Sequence, residues 1–242
     1  MGRIVSPNIV NDGLIFYLDA ANTKSYVSGS TTCDDIFGSH VTGSLKNSVG
    51  FSTENKGTFT LDGVDQYIEI ADSNTFSFGD GSNDSPFSIS VWVNMTDATR
   101  FRILQKFGTS KKEWSFHTDG DDKLYFYIYD DSARGYEYVV TTLTLTSLEG
   151  TWLNLVVTYD GSGGTSANDG LNIYINGSIQ SVSKADSGTY TAMENHTHVV
   201  YIGNYNNASY ANGKISIVKI YNKELTASEV VQNYHALLPR YT

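Results

Sequence analysis

Phe87-Ser88-Ile89-Ser90-Val91-Trp92-Val93 alternates apolar and polar side chains with a period of two. That period belongs to a β-strand, whose successive side chains point to opposite faces of a sheet. By parity Phe87, Ile89, Val91 and Val93 face a core, and Trp92 turns outward among Ser88, Ser90 and Asn94. The pattern recurs on both sides. Toward the N-terminus it covers 14–18, 58–61 and 67–70; toward the C-terminus it covers 102–106, 114–117, 124–129, 152–159, 171–175, 199–202 and 215–221. Asn176-Gly177, directly after Leu171-Asn172-Ile173-Tyr174-Ile175, predicts a two-residue hairpin, because both central positions of such a turn need positive φ. The segment 23–50 is polar and reads as irregular, and 161–166 reads as a flexible hairpin loop.

Helical spacing occurs once. Thr226-Ala227-Ser228-Glu229 forms a capping box, Leu225 can staple onto Val230, and Val230, Val231, Tyr234 and Leu237 make an apolar stripe that Pro239 limits. No linker, charge block or repeat divides residues 1–242, so a single all-β domain is expected, a sandwich of two antiparallel sheets with one short C-terminal helix.

Composition agrees. The 242 residues are 40% hydrophobic and only 17% charged, with 17 Tyr, 11 Phe, 3 Trp and 3 Pro, which excludes a disordered chain. The net charge of −10 opposes phosphate-driven binding, so nucleic acid is not an expected partner. No segment approaches the roughly 18 apolar residues of a membrane helix, so no membrane insertion is expected. Pro7, Asn8, Asn11 and Asp12 interrupt the start before a signal peptide's apolar run can form, and Met1-Gly2 with Ser6 fits only a loose myristoylation pattern. Cys33 stands alone, so no intrachain disulfide is available.

Catalytic chemistry is not expected. Glycoside hydrolysis needs two carboxylates flanking one bond, yet Glu69 is the sole acid on its strand, and Asp119, Asp121 and Asp122 read as a solvated turn. Glu194, His196 and His198 share a parity but sit in a polar segment, and Asp80-Gly81-Ser82-Asn83-Asp84 lacks the distal Glu and flanking helices of a calcium loop. Binding has a clearer signal. In Leu124-Tyr125-Phe126-Tyr127-Ile128-Tyr129 the apolar set takes one face, so Tyr125, Tyr127 and Tyr129 take the other. With Trp92 they form the candidate surface for sugar rings or another protein, while Trp114 and Trp152 are assigned to the core.

Six segments in order resemble the laminin-G-like branch of the concanavalin A-like jelly rolls: 61–68, 87–93, 103–106, 151–161, 173–177, and the tail 213–222 with 225–230. Residues 13–22, 85–87 and 190–195 resemble versions common in tailed-phage virion proteins. The resemblance implies a particle component on the virion surface, capsid or tail fibre, with other virion proteins and cell-surface glycans as partners. A purely structural subunit is the alternative, and a polysaccharide-degrading enzyme the third reading. It also implies calcium as the cofactor to test, with Glu113 and Asn204 or Asn212 at the matching positions. This chain has Cys33 where many members have Trp and Ser216 where many have Asp.

Overall fold

A computed structural model describes residues 7–38 and 40–242; the myristoylation pattern at Met1, Gly2 and Ser6 therefore lies outside the described residues. The chain forms β1 (Leu14–Asp19), β2 (Thr32–Asp34), β3 (Thr42–Lys46), β4 (Gly50–Ser52), β5 (Thr58–Asp62) and β6 (Tyr67–Ile70). It continues with β7 (Phe87–Met95), β8 (Arg102–Gly108), β9 (Lys111–Thr118), β10 (Lys123–Asp130), β11 (Gly135–Thr144) and β12 (Trp152–Tyr159). Then come β13 (Leu171–Ile175), β14 (Ser178–Ile179), β15 (Val182–Ser187), β16 (Val200–Ile202), β17 (Asn204–Tyr205), β18 (Ser209–Tyr210), β19 (Asn212–Tyr221) and helix α1 (Ala227–Leu237).

Two antiparallel sheets carry the fold. One runs β14-β13-β12-β7-β19-β5-β4, with β1 also paired to β19; the other runs β15-β11-β10-β9-β8-β16-β6-β3-β2. Their inner faces are the ones parity assigns. Phe87, Ile89, Val91 and Val93 from β7 and Leu155 and Val157 from β12 share one core with Trp114, Phe116, Leu124, Phe126 and Ile128. Phe87 stacks on Phe78 at 4.1 Å and meets Phe126 edge-on at 5.6 Å, the latter a geometry the aromatic quadrupole favours. Each such buried apolar side chain stabilises the fold by roughly 1.5–3 kcal/mol. The indole of Trp114 donates to the carbonyl of Phe76 at 2.9 Å, so its burial leaves no polar group unpaired.

The hairpin forms as predicted, with Asn176 at φ 51° and Gly177 at φ 79°. The capping box is present: Thr226 accepts from the Glu229 backbone, and the Glu229 side chain accepts from the Thr226 backbone at 2.9 Å. Two expectations change. The polar segment 23–50 supplies β2, β3 and the start of β4, and β11, β14, β15, β17 and β18 lie outside the stretches that alternate with period two. Cys33 is buried against Gly43, where an added Cβ would lie 2.9 Å from its sulfur, so a thiol facing a glycine fills this position. Ser216 sits at a break in register of β19; its hydroxyl donates to the Gly57 carbonyl at 2.9 Å.

Helix α1 and the segment before β1 close the outer face of the eight-stranded sheet. Val10, Leu14, Val156, Tyr174, Tyr221, Leu225 and Val230 form a second core there. Asn233 fixes the docking: its carbonyl accepts from the Val10 backbone at 2.9 Å, and its amide donates to the Tyr221 hydroxyl at 3.1 Å. Arg240, just beyond the helix, pairs with Asp19 at 2.7 Å and donates to the carbonyls of Asn55 and Gly57 and to the Ser216 hydroxyl.

Candidate functional site

The outer face of the nine-stranded sheet is built from alternate residues of β8 to β11. Inward Leu124, Phe126 and Ile128 leave Tyr125, Tyr127 and Tyr129 outward, each half-buried, as parity requires. Register brings Tyr138 opposite Tyr127 and Tyr136 opposite Tyr129 across β11, and His117 opposite Tyr125 across β9. The rings overlap one another. Tyr125 and Tyr127 lie 5.9 Å apart at 16°, Tyr127 and Tyr129 5.6 Å at 7°, and Tyr127 and Tyr138 4.4 Å at 17°. His117 stacks on both Tyr125 and Tyr127, at 5.9 and 5.7 Å. Much of each ring face is thus spent on a neighbour, and the surface offers ring edges and hydroxyls as well as apolar area.

Two cavities open on this row. One of about 470 Å³ is lined by Arg100, Arg102, His117, Asp119, Tyr127 and Tyr205 among others; a second of about 480 Å³ reaches Asp130, Asp131 and Arg134. Lys112, Tyr129 and Tyr136 line both, so the two lie side by side along the sheet and are taken together as one groove. Burial, helped by the neighbouring Arg102 charge, holds His117 down to about 3, so its ring is neutral at physiological pH. Burial, with Asp121 beside the hydroxyl, pushes Tyr125 up to about 12. Asp121 accepts from that hydroxyl at 3.1 Å, and Tyr129 shares a hydrogen bond with Ser115 at 3.2 Å.

Trp92 does not belong to this face or to any exposed one. It is 1% exposed, stacked between Tyr241 at 3.9 Å and Tyr234 at 5.8 Å. Parity places it correctly outside the main core, and the helix then covers it. Trp152, expected in the core, is half-buried at the rim of the same stack, 5.0 Å from Tyr241.

The calcium candidates do not assemble a site. Glu113 is fully buried and holds Lys106 at 2.7 Å and the His196 backbone at 2.9 Å; burial raises its carboxyl to about 7 even though Lys106 pulls the other way. A lysine ammonium thus stands where a cation would have to bind. Asn204 is buried, its side-chain amide donating to Asn207 Oδ1 at 3.2 Å and its Oδ1 accepting from the Asn207 backbone at 3.0 Å, and Asn212 is exposed at the start of β19. Among the described residues no group of three or more His, Cys, Asp or Glu is placed to hold a metal ion. His196 and Glu194 do approach, at 3.7 Å, but Glu194 is occupied by the backbones of Asp131 and Ser132.

The acidic turns are structural. Asp122 accepts from Thr99 and Thr146, and Asp80 from the backbones of Ser82 and Asn83. Asp84, read as part of a turn, is a hub: it accepts from the hydroxyls of Tyr159 and Tyr190 and from the Met193 backbone. Sequence reasoning missed Arg102, His117, Tyr136, Tyr138 and Tyr205. His117 has the parity opposite to Trp114 and Phe116, and Tyr136 and Tyr138 are two apart, so period two carried a signal for three of the five.

The family model Laminin_G_3, of the concanavalin A-like lectin/glucanases superfamily, matches residues 62–231. Curated proteins give no match. Among solved structures, the binding domain of botulinum neurotoxin serotype G aligns at 19% identity with a TM-score of 0.66, over 91% of this chain and 50% of that one. The binding domain of Paraclostridial Mosquitocidal Protein 1 aligns at 16% identity and 0.66, over 92% and 52%. The receptor binding domain of a botulinum neurotoxin C/D mosaic serotype aligns at 16% and 0.65, over 93% and 51%. This chain therefore spans about half the length of these structures, and at such identities the likeness is one of fold.

Proposed function

The chain belongs to the concanavalin A-like lectin/glucanase superfamily, and on that premise we propose that it is a non-catalytic module that binds glycans through the tyrosine groove of its nine-stranded sheet. The observation that carries this reading is the open aromatic face itself. Five tyrosines from two strands, Tyr125, Tyr127, Tyr129, Tyr136 and Tyr138, stay half-exposed beside two cavities, although Trp92, Tyr174 and Tyr221 on the opposite sheet are buried. Tyrosine suits a sugar because an apolar ring edge and a polar hydroxyl meet the two kinds of surface that a sugar presents.

The absence of catalysis is part of the proposal, and the groove's acids support it. Asp130 accepts from the Ser132 hydroxyl and from the backbones of Ala133 and Thr191, and although burial opposes it, those hydrogen bonds bring its carboxyl below the usual range. A carboxylate so committed is a poor general acid. The placement on the exterior of a phage-like particle, capsid or fibre, rests on the sequence resemblance of residues 13–22, 85–87 and 190–195. There the groove meets host-surface glycans while other faces meet virion proteins.

A glycan array is the direct test. Wild-type protein is expected to bind at least one oligosaccharide, and Tyr127→Ala and Tyr138→Ala to lose it while staying folded. A clean array, or binding indifferent to both substitutions, overturns the reading. Antibody labelling of purified particles tests the location, and labelling confined to the particle interior would overturn that part.

A further inference from the structure

Arg102 lies at one end of the groove in an unusual state for an arginine. It is 7% exposed, yet its Nε has no hydrogen-bond partner, and its nearest counter-charge, Asp119, stands 3.9 Å away. The guanidinium rests over the Tyr205 ring at 4.7 Å, which holds it in place without satisfying its donors. A guanidinium donor buried without an acceptor is costly to leave unmade. His117 beside it has a buried Nδ1 that is likewise unpartnered. The surrounding charge is mostly positive. Arg100 and Lys112 line the same cavity with Asp119 as its single acid, in a chain whose net charge is −10. Arg100 is already turned toward Asp119 at 3.6 Å, which leaves the acid shared between two guanidinium groups.

We infer that the groove selects acidic glycans, with the carboxylate of an acid sugar accepting two hydrogen bonds from the Arg102 fork and the adjoining sugars running over Tyr127 and Tyr129 toward Arg134. This rests on the glycan-binding reading above and names its ligand class. A carboxylate fits because its planar pair of oxygens matches the fork bidentately. A chain fits better than a single terminal sugar because the cavity at Arg102 lies beside the one at Arg134, with Lys112, Tyr129 and Tyr136 lining both. The second cavity sets Lys112, 4.0 Å from Asp131, and Arg134 among Asp130 and Asp131, so it is charge-balanced, whereas Arg100 and Arg102 face the single acid Asp119 at the other end, which is the acid-binding one.

Calorimetric titration with matched pairs tests this: oligogalacturonate, an alginate oligosaccharide and a sialylated oligosaccharide, each against its carboxyl-reduced or desialylated counterpart. The acid form of at least one pair is expected to bind wild type about tenfold to a hundredfold more tightly. Arg102→Met is expected to erase that preference while leaving the weaker binding of the neutral form, and Arg102→Lys to keep part of it. The Met variant should melt no lower than wild type, because it deletes a buried cation that has no close partner. Should it fail to fold, Arg100→Gln, with its exposed side chain, is expected to weaken the same preference. Equal binding of acid and neutral forms, or a preference that survives Arg102→Met in folded protein, overturns the inference and leaves the glycan reading standing. No sugar bound in any pair overturns both, and a single-stranded oligonucleotide bound above every sugar overturns both in favour of another polyanion.

Discussion

The two sheets present opposite solutions to one problem. Each has an inner face of aliphatic and aromatic side chains, and each turns aromatic rings outward: Trp92 on the eight-stranded sheet, the tyrosine row on the nine-stranded one. The chain returns over the first. Helix α1, Tyr241 and Arg240 seal Trp92, and Asn233 specifies how the helix sits. Over the second the rings pack on one another and leave hydroxyls, Arg102 and His117 lining an open groove. Outward aromatic side chains are thus either a second core or a binding surface, and which one is decided by what the rest of the chain lays over them.

That contrast can be broken most directly by truncating one ring on each face. Trp92→Ala should cost about 3–5 kcal/mol in guanidinium unfolding, the penalty of an emptied aromatic site. Tyr127→Ala should cost about 1 kcal/mol or less while abolishing sugar binding. Equal costs would mean that the tyrosine face is as sealed as its counterpart. Next comes Arg240→Ala, which strands Asp19 and removes the donors to Asn55, Gly57 and Ser216; a loss of about 3 kcal/mol and earlier proteolysis at the helix are expected. Intact stability would show that the helix seals its face without this anchor.

Titration separates the faces by pH window. Lys219, on the covered side, is fully buried, its ammonium lacks a hydrogen-bond partner, and burial lowers it to about 7 from 10.5. The unfolded chain takes up this proton first, so its contribution to stability falls as pH drops from 10.5 through 7, by about 1.4 kcal/mol per pH unit. Lys219→Met should remove that slope from urea-unfolding data. His117, on the open side, gives the same sign in another window, stability falling as pH drops from 6.5 toward 3. His117→Phe keeps a ring against Tyr125 and Tyr127 and should flatten the acid limb alone. Smallest of all is the effect of EDTA: with Glu113 held by Lys106, chelation should leave both melting temperature and sugar binding unchanged.

Period two made most of this legible. It placed the strands at 87–93 and 124–129 and sorted their side chains into inward and outward sets. It could not tell that Trp92 would be covered, because parity fixes a side chain's direction and says nothing of what arrives from over a hundred residues away. The capping box at Thr226 located the helix, but its docking depends on Asn233 meeting Val10 and Tyr221, a match that no local pattern contains. Strand β11 escaped for a related reason. Glu137 faces inward beside Val139, so its parity set mixes charge with apolar residues and the alternation is blurred, which hid Tyr136 and Tyr138. Arg102 gave no signal because its importance is a lack of partners, visible only once its neighbours are placed.

The sheet edges carry one more consequence. The eight-stranded sheet ends on β14, two residues long, and on β4, three, while its remaining edge, β1, is covered at Tyr17 by hydrogen bonds to Asp35 and Ile36; the nine-stranded sheet ends on β2, also three, and on β15, whose exposed side chains include Lys184 and Asp186. Strands this short or this charged are poor templates for a neighbour's backbone. Copies can therefore be crowded at high local concentration without zipping edge to edge, and association between them is left to side chains.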